Sequence, residues 1–185
     1  QHKIELEYFD DEIDLNDLGF QRRNAYSGAQ YVFRYANAQK RGFMESTRGT
    51  VALRQHYNDH GQVIDSGIYW RNKLALPKRN TLRTSFGFMP RRWEDLDSRG
   101  NGAYRVGERL WWSLSWSTDA SKMFSYTFGA SGEQENLGDW TDGLNAAVTI
   151  RPSDRIYADI EVDYKRRDGW VVYQGGRNFG SFHGA

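Results

Sequence analysis

Arg155–Lys165 reads RIYADIEVDYK and alternates between apolar and charged residues. Successive side chains of a β-strand point to opposite faces, so every second residue of the stretch shares a face. The apolar face consists of Ile156, Ala158, Ile160, Val162 and Tyr164, whereas the opposite face carries Asp159, Glu161 and Asp163. The stretch therefore predicts a strand in a sheet with one apolar and one strongly polar surface.

The same two-residue period recurs along the whole chain, and the period of an α-helix is nearly absent. The alternating segments are 2–9, 25–35, 43–56, 64–76, 82–88, 104–116, 124–128, 144–150 and 155–165, followed by 170–174. Short polar turns and longer links alternate between these segments, which places the short turns together at one end of the sheet. We predict an all-β fold, an antiparallel up-and-down meander of about ten strands.

The composition limits the classes of function. The 185 residues suffice for one domain, and 25 Lys and Arg balance 24 Asp and Glu to a net charge of +1. This balance gives no reason to expect a nucleic-acid partner, which a basic patch would indicate. The chain has no Cys, which excludes disulfides and Cys-based zinc sites, and its four His show no metal-binding spacing. We expect no metal and no cofactor.

A sheet with two such unlike faces favours a transmembrane β-barrel of the bacterial outer membrane. Such barrels have an apolar outer band, aromatic girdles, a polar lumen, short periplasmic turns and longer outer loops. Glu108 is the sole charge on the apolar face of the opening segment and of the segments from 82 to 150, so we expect it near the loop end. The expected girdle residues are Tyr104, Trp112, Trp116, Phe124 and Tyr126. The alternative is a soluble β-sandwich or jelly roll that binds glycans through exposed Trp and Tyr.

Closure of the barrel sets a further expectation. Every backbone N–H and C=O in lipid needs a partner, so an open sheet cannot span a membrane. The last residues, Ser181–Ala185, contain no final amphipathic strand that ends on an aromatic residue. We expect residues 1–185 to form a single β-barrel domain that is a fragment of a larger barrel.

Two loops carry a resemblance to a known family. Asn16–Phe20, followed by Arg22 and Arg23, resembles the Asn-Asp-Leu-Gly-Phe…Arg-Arg signature of a bacterial family of uncharacterised function. Asp97–Gly102 looks like a diverged form of that family's Thr-Arg-Gly-Gly-Pro loop, with Asn101 and without the Pro. The family pairs an N-terminal, family-nine-like carbohydrate-binding domain with a C-terminal outer-membrane barrel. The resemblance implies a Gram-negative outer membrane and a larger parent protein, and it implies no catalytic residue.

The candidate site residues are charged side chains on the polar face. Arg83, Arg105 and Arg109 are predicted to form a basic cluster, and Asp159, Glu161 and Asp163 an acidic one. Facing each other across a lumen, they would form a constriction that selects solutes, or else an internal salt-bridge network that fills a plugged barrel. Carboxylates two apart on a strand lie about 6.5–7 Å apart, within the range of glycosidases. Nothing else in the sequence indicates a sugar cleft, so we predict no catalytic residue.

The sequence thus predicts a non-catalytic outer-membrane protein with a structural, anchoring or porin-like solute-passage role. Its expected partners are outer-membrane lipid, other outer-membrane or periplasmic subunits, and a glycan bound through a domain outside this chain. A barrel hydrolase is the weakest alternative.

Overall fold

The computed structural model describes residues 1–10, 25–95, 102–134, 140–153, 156–167, 170–173 and 179–182. The strands are β1 (His2–Phe9), β2 (Tyr26–Asn37), β3 (Ser46–Asn58), β4 (Val63–Leu76), β5 (Asn80–Met89), β6 (Arg92–Glu94), β7 (Tyr104–Val106), β8 (Arg109–Ser117), β9 (Phe124–Gln134), β10 (Trp140–Ser153), β11 (Ile156–Arg167), β12 (Trp170–Tyr173) and β13 (Phe179–Phe182). Nine of them form one antiparallel sheet in the order β1-β2-β3-β4-β5-β8-β9-β10-β11. The predicted all-β meander is confirmed. Among the described residues no ladder joins β1 to β11, so the sheet is not closed.

Two short hairpins accompany the sheet, one formed by β6 and β7 and the other by β12 and β13. The connections at one end are short, at 38–45, 77–79 and 118–123, and β4 and β5 are joined by the single 3-10 turn Pro77–Arg79. The opposite end carries two longer connections, 10–25 and 90–108, together with the four-residue connection 59–62. We call these the short-turn end and the long-loop end. No helix in the described part of the chain is long and apolar enough to cross a membrane.

The strand register places apolar side chains in continuous rows across the sheet. One row runs from Ile4 to Leu110, because each residue lies directly opposite the next on the neighbouring strand. Its members are Ile4, Tyr31, Leu53, Ile68, Phe88 and Leu110. A second row contains Leu114, Ala130, Leu144 and Tyr164. Directly paired residues share a face, so the sheet has one apolar face from β1 to β11.

This apolar face is uncovered in the described part of the chain. The exposed fraction reaches 81% at Leu6, 58% at Leu144 and 64% at Val162. Among the described residues, the buried apolar side chains are Val32, Ile64 and Val106. A soluble sandwich would cover such a face with a second sheet. The described residues provide no such layer.

One predicted strand is interrupted in the structure. The alternation over 104–116 predicted a single strand, but β7 ends at Val106 and β8 begins at Arg109. β7 pairs with β6 outside the main sheet, so Tyr104 does not lie on the sheet face where the sequence predicted it. Glu108 lies between the two strands at the long-loop end, where its Oε2 accepts a hydrogen bond from Arg91 Nε at 3.0 Å. This hydrogen bond lowers the pKa of the Glu108 carboxyl group.

Aromatic side chains cover glycines within the strands. A Cβ atom at Gly87 would overlap the indole of Trp111, which lies directly opposite on β8. Trp112 and Trp140 lie over Gly132 in the same manner on the apolar face. Such aromatic cover replaces the packing that a glycine in a strand lacks.

Gly87→Ala should lower the free energy of unfolding by about 1–3 kcal/mol, because the added methyl group forces a rigid indole out of its place. Gly143→Ala is the matched control, since a Cβ atom there would meet the small Ser131 hydroxyl group at 2.7 Å. Urea unfolding followed by circular dichroism measures both. Equal destabilisation by the two variants would contradict the role of the Trp111–Gly87 contact.

Candidate functional site

The polar face of the sheet holds the residues that can carry chemistry. It has three parts: five cations at the short-turn end, a paired network at the long-loop end, and an acidic strand at one edge. We call the first part the basic cluster; it consists of Arg34, Arg48, Arg71, Lys73 and Arg83.

The antiparallel register assembles the basic cluster from four strands. Arg48 on β3 lies directly opposite Lys73 on β4, and Lys73 lies opposite Arg83 on β5. Arg71 is two residues from Lys73 on β4, and Arg34 lies opposite Thr50, which itself lies opposite Arg71. The cations therefore occupy two adjacent rows of the polar face. Like charges in directly opposite positions destabilise a sheet.

A cavity of about 590 Å³ lies over the basic cluster. Its lining contains all five cations together with the hydroxyl groups of Thr50 and Ser85, and it contains no carboxylate. The four arginines are exposed and Lys73 is half-buried. No carboxylate in the described part of the chain forms an ion pair with any of the five. A neighbouring cavity of about 460 Å³ shares Arg48 and Lys73 and includes Glu45.

At the long-loop end, in contrast, cations and carboxylates are paired. His56 on β3 lies between two carboxylates, with Nε2 at 3.6 Å from Glu7 Oε2 and Nδ1 at 3.7 Å from Asp65 Oδ2. Asp65 Oδ2 also accepts a hydrogen bond from Arg54 Nη1 at 3.0 Å. The Tyr26 hydroxyl group donates to Glu7 Oε2 at 3.2 Å. We call this set, which ties β1 to β4, the His56 network.

The hairpin of β6 and β7 packs against β4 beside the His56 network. Arg92 on β6 and Val106 on β7 are buried. Asn58 Nδ2 at the end of β3 lies 3.4 Å from Asp95 Oδ2, just after β6. The described part of the connection between β5 and β8 therefore contacts the sheet at this end.

The structure separates the three arginines that the sequence grouped. Arg83 belongs to the basic cluster, whereas Arg109 lies six residues further along the ladder, opposite Met89, and pairs with Glu133. Arg105 lies on β7, outside the main sheet, with its guanidinium 5.4 Å from the ring centre of Trp93. Only Arg83 is therefore placed where several cations converge.

The three predicted acidic residues do share one face of β11, as the alternation predicted. Asp159, Glu161 and Asp163 lie opposite Thr149, Ala147 and Asn145 of β10, and all three are exposed. The row that contains Arg48, Lys73 and Arg83 continues through Ser115, Gly129 and Asn145 to Asp163. Four strand spacings, or about 19 Å, separate β5 from β11. The opposite charges lie in the same row at different sides of the sheet.

Residues 1–181 match a family described as a domain of unknown function (DUF5916). The chain belongs to that family. A search of curated proteins and a search of solved structures each returned no match. The family is uncharacterised, in keeping with the resemblance noted in the sequence. The loops that carry that resemblance, Asn16–Arg23 and 97–101, lie outside the described residues.

The sequence analysis missed Arg34, Arg48, Arg71 and Lys73 as members of the candidate site. Each of these residues lies on the polar side of its own segment, but the alternation within a segment does not show which segments are neighbours in the sheet. Pairing them as antiparallel neighbours brings the end of β2, the start of β3, the end of β4 and the start of β5 together. This pairing would have revealed the cluster.

The chemistry of the polar face is that of charge recognition. In the described part of the chain no three His, Asp or Glu side chains are placed to hold a metal ion. The basic cluster offers guanidinium groups in the geometry that carboxylates and phosphates accept. In the His56 network, by contrast, His56 and Arg54 lie next to carboxylates.

Asp65→Asn should lower the free energy of unfolding by about 1–2 kcal/mol, because Arg54 loses a charged hydrogen-bond partner in a half-buried setting. Asp59→Asn, at an exposed turn position, should change it by less than about 0.5 kcal/mol. Urea unfolding of both variants measures the difference. An unchanged Asp65→Asn variant would show that the His56 network does not stabilise the sheet.

Proposed function

We propose that this chain forms part of the wall of an outer-membrane β-barrel, with a structural or solute-passage role. The apolar face would contact lipid and the polar face would line the lumen. The observation that carries the proposal is the continuous apolar face, which is exposed from β1 to β11.

The extent of this face is the physical argument. Monomeric soluble proteins rarely expose contiguous apolar patches larger than a few hundred Å². Here Leu6, Leu114 and Ile160, on three widely separated strands, are 81%, 43% and 58% exposed. In a bilayer the same side chains would be solvated by acyl chains, and their exposure would carry no penalty.

Strand length and aromatic placement support the same proposal. A tilted transmembrane strand needs about 9–11 residues, and β2, β3, β4 and β10 have 12, 13, 14 and 14. On the apolar face, Trp116 and Phe124 lie at the short-turn end, and Tyr8 and Trp140 at the long-loop end. Aromatic residues at both ends of the apolar band are typical of the two girdles of an outer-membrane barrel.

Closure requires further strands under this proposal. β1 and β11 are the two edge strands of the described sheet. Unpaired backbone groups cannot remain in hydrocarbon, so strands beyond these nine would have to pair with both edges. The wall would then anchor any domain that the same protein carries, and the implied carbohydrate-binding domain would be one such domain.

The sharpest test of the membrane proposal compares neighbouring positions on β10. Val148→Arg puts a charge on the apolar face near mid-strand and should destabilise the protein in lipid vesicles by about 2–4 kcal/mol. Ala147→Arg puts the same charge on the polar face, opposite Glu161, and should cost much less. Urea unfolding in phosphatidylcholine vesicles measures both variants.

The same preparation separates the membrane proposal from a soluble glycan-binding module. A chain that stays folded, soluble and monomeric without detergent would refute the barrel. So would a Val148→Arg variant that inserts into vesicles as readily as Ala147→Arg.

The solute-passage role has its own test, which uses the charge of the basic cluster. Arg83→Glu should reduce the preference for anions over cations when the protein is reconstituted in planar bilayers, because it replaces a cation on the proposed lumen wall. Arg41→Glu, in the turn between β2 and β3, is the control for net charge. Equal permeability ratios for the two variants would favour a plugged, purely structural wall.

A further inference from the structure

We propose that the basic cluster is a binding site for a small solute that carries two or more phosphate or carboxylate groups. The site deepens the proposed solute passage by naming a solute class. Its chemistry rests on the polar face alone, so it can be tested separately from membrane insertion.

The first argument is the contrast between paired and unpaired cations on one sheet. Arg54 pairs with Asp65, Arg91 with Glu108, and Arg109 with Glu133. The five cations of the basic cluster have no such partner among the described residues, although Asp163, an exposed carboxylate on β11, lies in the same row as Arg48, Lys73 and Arg83. The arginines named here at the long-loop end are therefore paired with carboxylates, whereas the basic cluster at the short-turn end has no carboxylate partner among the described residues.

The second argument is the close spacing of like charges. Neighbouring strands lie about 4.8 Å apart, so Arg48, Lys73 and Arg83 originate from consecutive positions across about 10 Å. The spacing of about 4.8 Å between neighbouring cations lies within the Debye length of about 8 Å at physiological ionic strength, so salt does not fully screen the repulsion. A multiply charged anion over the three residues would remove that repulsion.

The third argument is the fit between the cavity and such a ligand. The cluster spans three strand spacings, about 14 Å, and two rows about 7 Å apart. Its cavity of about 590 Å³ falls within the range of about 300–1,000 Å³ of small-molecule sites. Four guanidinium groups can each bind an oxyanion through two parallel hydrogen bonds. Thr50, which lies between Arg34 and Arg71, and Ser85, which lies opposite Arg71, add neutral donors.

Isothermal titration of the folded protein in detergent, with tripolyphosphate as the probe, tests the site. Tripolyphosphate should bind at least tenfold more tightly than inorganic phosphate, and its affinity should fall as salt rises. The double variant Arg48→Gln/Arg83→Gln should lose at least tenfold in affinity. The double variant Lys40→Gln/Arg151→Gln, which removes two exposed cations elsewhere, should stay within twofold of the native protein. Citrate in place of tripolyphosphate tests the carboxylate form of the ligand.

Unfolding measurements separate binding from a structural role. Without anion, the Arg48→Gln/Arg83→Gln variant should unfold at the same or a higher urea concentration than the native protein. Tripolyphosphate should raise the midpoint of the native protein and not that of the variant, because only a bound ligand stabilises the folded state. A variant that unfolds at lower urea in the absence of anion and still binds tripolyphosphate would overturn the proposal.

A lipid headgroup could supply the same phosphate chemistry, so micelles that contain phosphatidylglycerol form a separate arm. Binding of these micelles through Arg48 and Arg83, without binding of free tripolyphosphate or citrate, would overturn a solute site. Failure of Val148→Arg to disturb insertion would refute the membrane proposal and leave the anion result standing. Absence of anion binding to a protein that inserts normally would refute the anion site alone.

Discussion

The register of the antiparallel ladders is the constraint on which the other features of the sheet depend. Side chains alternate with a period of two, so a slip of one residue in any strand would move its apolar set to the polar face. The ladders shift only near His56 of β3 and between Ile150 and Ser153 of β10, both near strand ends. Between these points the rows run unbroken from β1 to β11. The same register that aligns Ile4 with Leu110 also aligns Arg48 with Lys73 and Arg83.

Because the apolar face is not covered by a second layer, burial of apolar side chains contributes little to the stability of the described sheet. Only three apolar side chains are buried in the described part of the chain. The ladders pair the backbone of the inner strands, and aromatic–glycine contacts such as Trp111 over Gly87 fill gaps between strands. What remains is a large apolar surface whose free energy depends on its surroundings. The stability of the sheet therefore depends on whether the surrounding medium solvates that surface. Any function proposed for the sheet depends on the same medium.

Much of this fold could be predicted from the sequence because alternation is a local signal. It gave the meander, the two unlike faces and the two unlike ends. The alternation gave a wrong prediction at Gly107–Glu108, because it continues through these two residues although the strand is interrupted there. β7 leaves the main sheet and pairs with β6, so strand pairing rather than the local pattern determines where the strand ends. The candidate site was harder, because Arg34, Arg71 and Arg83 are distant in sequence and meet only through strand pairing. Grouping arginines by their position on the polar side of each segment selected Arg105 and Arg109, which the ladders place elsewhere.

The two ends of the polar face differ in how their charges are arranged. Cations are paired with carboxylates at the long-loop end, whereas the basic cluster at the short-turn end has no carboxylate partner among the described residues. At the long-loop end, His56 lies between two carboxylates, Arg54 pairs with Asp65, and a hairpin packs beside them. At the short-turn end, five cations lie open over a cavity, with Asp163 in the same row about 19 Å away along the sheet. Curvature of the sheet about its polar face would bring these two charge sets toward each other across a lumen. A solute in that space would meet a field set by the open cations rather than by the neutralised network, so selectivity would reside at the short-turn end.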